Sequence, residues 1–162
     1  MALFIGGLFV ASPPEAIRYP ESNRPDLIKP LYDLFIVEAR ARGLQVDENL
    51  ANLISINIVE NPRYLGQDSN GITWEQNGRF RIELRRASME TEGAAIRVLF
   101  HELGHVFGLE DCCGCTYNFM RCQENQRANM LFKDIKLREV FFDVYFEAIS
   151  NPRRYNGAHN HY

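Results

Sequence analysis

The amino-acid sequence predicts a single α+β domain that spans residues 1–162. The chain has 162 residues, which is the usual size of one domain. Hydrophobic residues make up 46% of it, enough to fill a core without cross-links. Strand-like and helical hydrophobic patterns follow in the order strand, helix, several strands, helix, loop, helix. We therefore expect a mixed twisted sheet covered by helices.

The first predicted element is an apolar strand over residues 2–11. No Lys or Arg precedes this segment, whereas the signal peptide of a secreted protein begins with a positively charged region. We therefore expect a strand and a cytoplasmic protein, with a signal peptide and secretion as the alternative.

A proline-rich arm and a helix follow. Residues 12–30 hold five of the seven prolines, which predicts a surface arm. Apolar residues at helical spacing predict a helix over residues 31–42 that ends at Gly43. Pro25 is an alternative start for this helix.

Three strands are predicted in the middle of the chain. The β-branched run over residues 53–59 predicts the first strand, and residues 71–74 predict a short second strand. Apolar and charged residues alternate over residues 80–84, which is typical of a half-buried strand. Asn77 and Gly78 before it are typical of a tight hairpin turn.

Two helices are predicted in the last third of the chain. Ser88 or Thr91 can cap the first helix, which ends before Gly108. The second helix covers residues 135–149, because apolar residues recur there at helical spacing. Residues 153–162 are expected to be a polar tail.

The composition disfavours several classes of protein. Charged residues are 24% of the chain and aromatic residues 12%, so intrinsic disorder is not expected. The formal net charge of −3 disfavours non-specific nucleic-acid binding, which usually needs a basic surplus. No apolar run approaches the ~20 residues of a membrane helix. We expect a monomer without nucleic-acid or membrane partners.

One motif in the predicted helix before Gly108 indicates metal chemistry. It reads His101-Glu102-Leu103-Gly104-His105. Residues four apart lie on the same face of a helix, so both imidazoles can bind one Zn²⁺ ion. Glu102 can then act as the base that takes a proton from a water molecule at the metal. The motif predicts a hydrolase with a catalytic zinc.

The residues after this motif resemble the metzincin clan of zinc metallopeptidases. Gly108 stands three residues after His105, and Asp111 stands three residues after Gly108. The clan has a third His at the position of Asp111, and the Asp form is similar to its snapalysin branch. The resemblance covers residues 101–120. It implies a small zincin domain with an active-site helix and a C-terminal helix, three zinc ligands (His101, His105 and Asp111), and Glu102 as the general base.

The resemblance also implies a methionine turn below the metal and a strand that binds substrate. Met120 lies nine residues after Asp111 and fits the turn better than Met130 does. An edge strand above the cleft would pair with an extended peptide or protein substrate. The residues expected to form it are Phe80, Arg81, Ile82, Glu83 and Leu84.

All four cysteines of the chain lie within eleven residues. They are Cys112, Cys113, Cys115 and Cys122. Archaemetzincins, another branch of the clan, also have Cys directly after the third ligand, and they build a structural zinc site from four cysteines. Three readings remain open here: a second, structural Zn²⁺, a local disulfide, or free thiols.

Alternatives remain for the third ligand and for the function. Glu110 is an alternative to Asp111, and a gluzincin-type peptidase would use Glu139 or Glu147 from the last helix. In a different class of protein, a non-catalytic interaction module would bind zinc only for stability. Such a closed site has no use for Glu102, which favours a zinc metalloendopeptidase.

Overall fold

The computed structural model describes residues 18–63, 70–112, 118–120 and 134–159, with side chains described as far as residue 156. The strand predicted over residues 2–11 and the first part of the arm lie outside these ranges. Within them, no helix is both long enough and apolar enough to cross a membrane.

The described elements form a mixed α+β arrangement, as the sequence predicts. They are α1 (Pro25–Ala41), α2 (Asp47–Leu50), β1 (Leu53–Val59), β2 (Gly71–Gln76), β3 (Arg79–Arg85), a 3₁₀ turn (Arg86–Met89), α3 (Glu92–Val106), α4 (Ile135–Ser150) and α5 (Pro152–His159).

Helix α1 begins at Pro25, so residues 25–30 are helical rather than part of an arm. Proline suits the start of a helix because the first backbone N–H groups have no partner within the helix. The segment before α1 pairs with the sheet, because Glu21 forms a parallel bridge with Ser55 of β1.

The sheet has the strand order β1-β3-β2 among the described residues. Strand β3 runs parallel to β1 and antiparallel to β2. Asn77 and Gly78 join β2 to β3 with positive φ angles of 55° and 72°, which is typical of a type I′ hairpin.

This strand order corrects the prediction of the substrate strand. Phe80 to Leu84 lie in β3, which pairs with β1 on one side and with β2 on the other. Its backbone N–H and C=O groups are therefore already used, and an added peptide strand cannot bind them. Among the described strands, β1 and β2 occupy the two edges, and only β1 has a further bridge, from Glu21 to Ser55.

Aromatic side chains hold α3 in the core. Phe100 of α3 contacts Phe35 of α1 edge-on, with a centroid distance of 5.3 Å. Phe100 also stacks on Phe142 of α4 at 5.6 Å. All three rings are at most 2% exposed. Because His101 and Glu102 directly follow Phe100, this packing sets the rotation of α3 and the direction of both side chains.

The C-terminal segment differs from the expected polar tail. Residues 152–159 form α5, which begins directly after Asn151 at the end of α4. The side chain of Asn151 accepts a hydrogen bond from the backbone N–H of Arg154, as a helix cap does. Tyr155 is partly buried against the hydrophobic core.

Candidate metal-binding site

Helix α3 presents the two histidines of the motif on one face. The hydroxyl of Thr91 caps the helix by accepting a hydrogen bond from Ala94 N–H at 3.2 Å. His101 and His105 lie on consecutive turns, with ring centroids 4.9 Å apart and ring planes at 85°. Both side chains are partly exposed, at 17% and 27%. The local prediction of a helix with neighbouring imidazoles is confirmed.

The end of α3 turns the chain back towards the histidines. Gly108 has φ +79°, a left-handed conformation that glycine adopts without strain. Gly108 N–H donates to His105 C=O, and Leu109 N–H donates to Gly104 C=O, both at 3.0 Å. This is the Schellman pattern of a helix C-terminus. It places Asp111 beside the two imidazoles.

Backbone carbonyls orient both imidazole rings. His101 Nδ1 lies 2.8 Å from the carbonyl oxygen of Phe119, and His105 Nδ1 lies 2.8 Å from that of Leu109. A carbonyl oxygen can only accept, so each Nδ1 carries the hydrogen. In the neutral ring, Nε2 therefore keeps its lone pair. This is the tautomer that a metal-binding histidine needs when it binds through Nε2.

The free ring nitrogens converge on one carboxylate. Asp111 Oδ1 lies 3.0 Å from His101 Nε2 and 3.5 Å from His105 Nε2. The three side chains offer ligand atoms that all lie within 4.8 Å of one another. Within the described ranges, this is the one group of three or more such residues that could hold a metal ion.

The alternative third ligands do not join this group. Glu110 is exposed and is absent from the cluster. Glu139 lies on α4 and forms an ion pair with Arg42 at 2.9 Å. Glu147 is exposed on the same helix. The geometry therefore favours Asp111 over the glutamates that the other readings require.

His105 and Asp111 change each other's acidity in the metal-free protein. Hydrogen bonds from His101 and His105 hold the pKa of the Asp111 carboxyl well below its ordinary value. Burial alone would lower the pKa of His105, but its hydrogen bond to Asp111 and the nearby charge of Glu102 raise that pKa overall. The metal-free site thus favours an ion pair.

This ion pair predicts how the stability of the metal-free protein depends on pH. The lowered pKa of Asp111 stabilises the fold above about pH 4, and this contribution is lost as the pH falls further. The raised pKa of His105 stabilises the fold below about pH 6.5, and this contribution is lost as the pH rises through the raised value. Asp111→Asn should therefore lower the melting temperature by a few degrees at about pH 5.5 and by less at about pH 9. Melting curves of chelator-treated protein test this, and parallel pH profiles for the two proteins would contradict it.

Glu102 lies buried between α3 and β2. Only 3% of the surface of Glu102 is exposed to solvent. The hydroxyl of Thr73 lies 2.7 Å from Glu102 Oε2 and 2.9 Å from the main-chain oxygen of Glu102. A Cβ atom added to Gly71 would lie 2.6 Å from Glu102 Oε1, so a larger residue at position 71 would force this carboxyl to move. Burial raises the pKa of Glu102, against smaller opposing effects of His101, Thr73 and His105.

Met120 lies directly under α3. It is fully buried, and its backbone N–H donates to Asn118 Oδ1 at 3.0 Å. Cys112 N–H donates to Met120 C=O at 2.7 Å, which ties this turn to the residue after Asp111. A Cβ atom on Gly104 would overlap Met120 Sδ. The predicted turn thus contacts both α3 and the segment that contains Asp111.

The close approach of Gly104 and Met120 predicts a destabilised Gly104→Ala variant. Alanine normally favours a helix over glycine by ~1 kcal/mol, but here its Cβ overlaps a buried sulfur atom. We expect a net loss of about 1–3 kcal/mol in the free energy of unfolding. Denaturant unfolding of metal-free protein measures it. Met120→Ala in the same chain should recover part of the loss, and additive losses would contradict the proposed overlap.

The structure bears on one of the four cysteines. Cys112 is 2% exposed and is disulfide-bonded. A disulfide sulfur is no thiolate, so Cys112 is not available as a zinc ligand in this state. The other three predicted cysteines, which include its disulfide partner, lie outside the described ranges. They are Cys113, Cys115 and Cys122.

Sequence reasoning missed three residues that contact this site. Thr73 and Gly71 reach Glu102 from β2, and Asn156 of α5 bonds to the turn after α3. Gly71 at the start of a strand is a weak signal of close approach. Nothing in the local sequence marks Thr73 or Asn156.

Comparison of the chain with protein-family models, curated proteins and solved structures returns no match.

Proposed function

We propose that this protein is a zinc-dependent peptidase of the metzincin type, which hydrolyses peptide bonds in extended substrates. One observation carries the proposal. The Nδ1 hydrogen bonds leave His101 Nε2 and His105 Nε2 free to bind a metal beside Asp111 Oδ1. The buried carboxyl of Glu102 lies on the same helix, next to the first of these ligands.

Two separations among the ligand atoms support a zinc ion at this site. Zinc binds imidazole nitrogen and carboxylate oxygen at about 2.0–2.2 Å, usually with tetrahedral geometry, so neighbouring ligand atoms should lie roughly 3.3 Å apart. The two measured separations from Asp111 Oδ1, 3.0 Å and 3.5 Å, lie on either side of this value. Zinc supplies a Lewis acid that makes water more acidic and polarises a peptide carbonyl.

In this proposal Glu102 transfers the proton. Its carboxylate takes a proton from the attacking water and later gives it to the leaving amine nitrogen. Thr73 can form a hydrogen bond with the carboxyl of Glu102 in both its ionised and its protonated state. Its hydroxyl donates to Oε2 when Glu102 is ionised. When Oε2 carries the proton, Oε2 can donate to Thr73, whose hydroxyl then donates to the main-chain oxygen of Glu102.

The proposed substrate strand is β2 rather than β3. Strand β2 is one of the two edge strands among the described residues, and its Thr73 contacts Glu102 directly. An extended peptide that pairs with β2 would bind through backbone hydrogen bonds, which demand little of its sequence. The peptide bond to be cleaved would then lie near the carboxyl of Glu102.

Metal analysis combined with a cleavage assay tests the proposal. The full chain should bind zinc at the three-ligand site and cleave members of a diverse peptide library, as read by mass spectrometry. Removal of zinc by a chelator should abolish cleavage, and added zinc should restore it. Zinc binding without cleavage would favour the non-catalytic module, and absence of zinc binding would refute the proposal.

A further inference from the structure

We propose that Asn156 of α5 is a positioning residue that holds the chain segment of the third metal ligand. This inference rests on the proposed zinc site. It gives the C-terminal helix a role in metal binding that neither the motif nor its neighbouring residues indicate. The segment runs from Gly108, just after the helix that carries the histidines, to Asp111.

The side-chain amide of Asn156 makes two hydrogen bonds to this segment. Asn156 Nδ2 donates to Gly108 C=O at 2.9 Å, and Asn156 Oδ1 accepts from Glu110 N–H at 3.1 Å. The amide group presents a donor and an acceptor in one plane, so it can pair with a backbone C=O and N–H as a neighbouring strand would. The two bonds fix the peptide groups on both sides of Leu109.

These bonds add to other hydrogen bonds that hold the backbone of the segment. The N–H groups of Gly108 and Leu109 bond to the end of α3, and Leu109 C=O accepts from His105 Nδ1. Beyond Asp111, Cys112 N–H bonds to Met120 C=O. Asn156 supplies the partners for Gly108 C=O and Glu110 N–H, which lie between these anchors.

Precise placement of the backbone matters more for Asp111 than for the histidines. The rings of His101 and His105 are held by their helix and by hydrogen bonds at Nδ1. Asp111 has a short side chain with one methylene group, and its side chain is 55% exposed. A backbone shift of a few tenths of an ångström would therefore move its carboxylate relative to both Nε2 atoms. Mutation of residues that orient a metal ligand in this way typically lowers metal affinity 10- to 100-fold.

Helix α5 is anchored well enough to act as a clamp. Tyr155 N–H donates to Asn151 C=O at 3.2 Å, and the side chain of Asn151 caps the helix. Tyr155 also packs against the hydrophobic core. Asn156 is therefore held by a helix that follows α4 after a single non-helical residue, Asn151.

Zinc affinity of full-length variants tests the clamp. Competition with a colorimetric chelator should show zinc binding about 10-fold weaker in Asn156→Ala. Asn156→Asp should lose at least as much, because it keeps the acceptor but places a carboxylate against Gly108 C=O. Arg153→Ala, at an exposed position on the same helix, is the matched control and should bind zinc like the wild type.

Two further readouts separate positioning from a general structural role. The melting temperature of the metal-free protein should change little in Asn156→Ala, whereas the increase in melting temperature on zinc addition should shrink. The visible spectrum of the Co²⁺-substituted protein should shift in both Asn156 variants and not in Arg153→Ala. An equal loss of stability with and without zinc would refute the inference.

The failure of the clamp can be told apart from the failure of the zinc site. Wild-type affinity and an unchanged Co²⁺ spectrum in both Asn156 variants would refute the clamp alone. Absence of zinc binding by the wild type would refute the site and the clamp together.

Discussion

Glu102→Gln is expected to abolish peptide hydrolysis while zinc stays bound. Glutamine has nearly the same shape as glutamate, so it fits beside Gly71 and its carbonyl oxygen can still accept from Thr73. It cannot take up the proton of the attacking water, and general base catalysis contributes about 10²–10⁴-fold to a rate. We expect kcat/KM to fall about 10³-fold, with zinc content unchanged by metal analysis.

Glu110→Gln is the matched control for this variant. The side chain of Glu110 is an exposed carboxylate. The hydrogen bond from Glu110 to Asn156 is donated by the backbone N–H and does not involve this carboxylate. The same change of charge at this position should leave hydrolysis and zinc content close to wild type. Glu102→Gln protein that keeps more than about a tenth of the wild-type rate would contradict the assignment of Glu102 as the base.

Asp111→Ala is expected to lose tight zinc binding. The change removes one of three ligand atoms and leaves the Nε2 atoms of His101 and His105 without the partner they contact. Loss of a direct ligand should weaken zinc binding by more than the 10- to 100-fold that is typical of outer-shell changes. We expect a loss greater than about 100-fold in competition with a chelator, together with loss of cleavage.

Two control variants distinguish the candidate third ligands. Glu110→Ala and Glu139→Ala remove the carboxylates that the alternative readings would use. Neither belongs to the three-residue cluster, so zinc affinity should be unchanged in both. Zinc binding that survives Asp111→Ala and is lost in either control would move the third ligand to that glutamate.

Local sequence patterns predicted the elements that carry the candidate metal ligands. The β-branched run Leu53–Val59 forms β1 with the predicted bounds, because side chains of this shape pack well in a buried strand. The hydroxyl of Thr91 caps the N-terminus of α3, and Gly108 ends the helix with a left-handed turn. Both signals depend on residues within one helical turn of each other.

The order of the strands was not predictable in this way. Alternation of apolar and charged residues over residues 80–84 predicts a strand with one buried face, but Ile82, Glu83 and Leu84 of β3 are all buried. The same alternation occurs in edge and central strands, because both have one face against the core. The pairing of β3 with both β1 and β2 depends on contacts between distant segments.

Local sequence patterns were enough to predict the fold class, the helix with two histidines four residues apart, and the return of the chain at Gly108. These features depend on interactions between neighbours in the chain. The residues that contact the side chains of this helix and turn could be identified only from the packing of separate elements. Thr73 reaches Glu102 across 29 positions of sequence, and Asn156 reaches Gly108 across 48. Such contacts leave no local pattern, because a single polar side chain acquires its partner only when separate elements pack together.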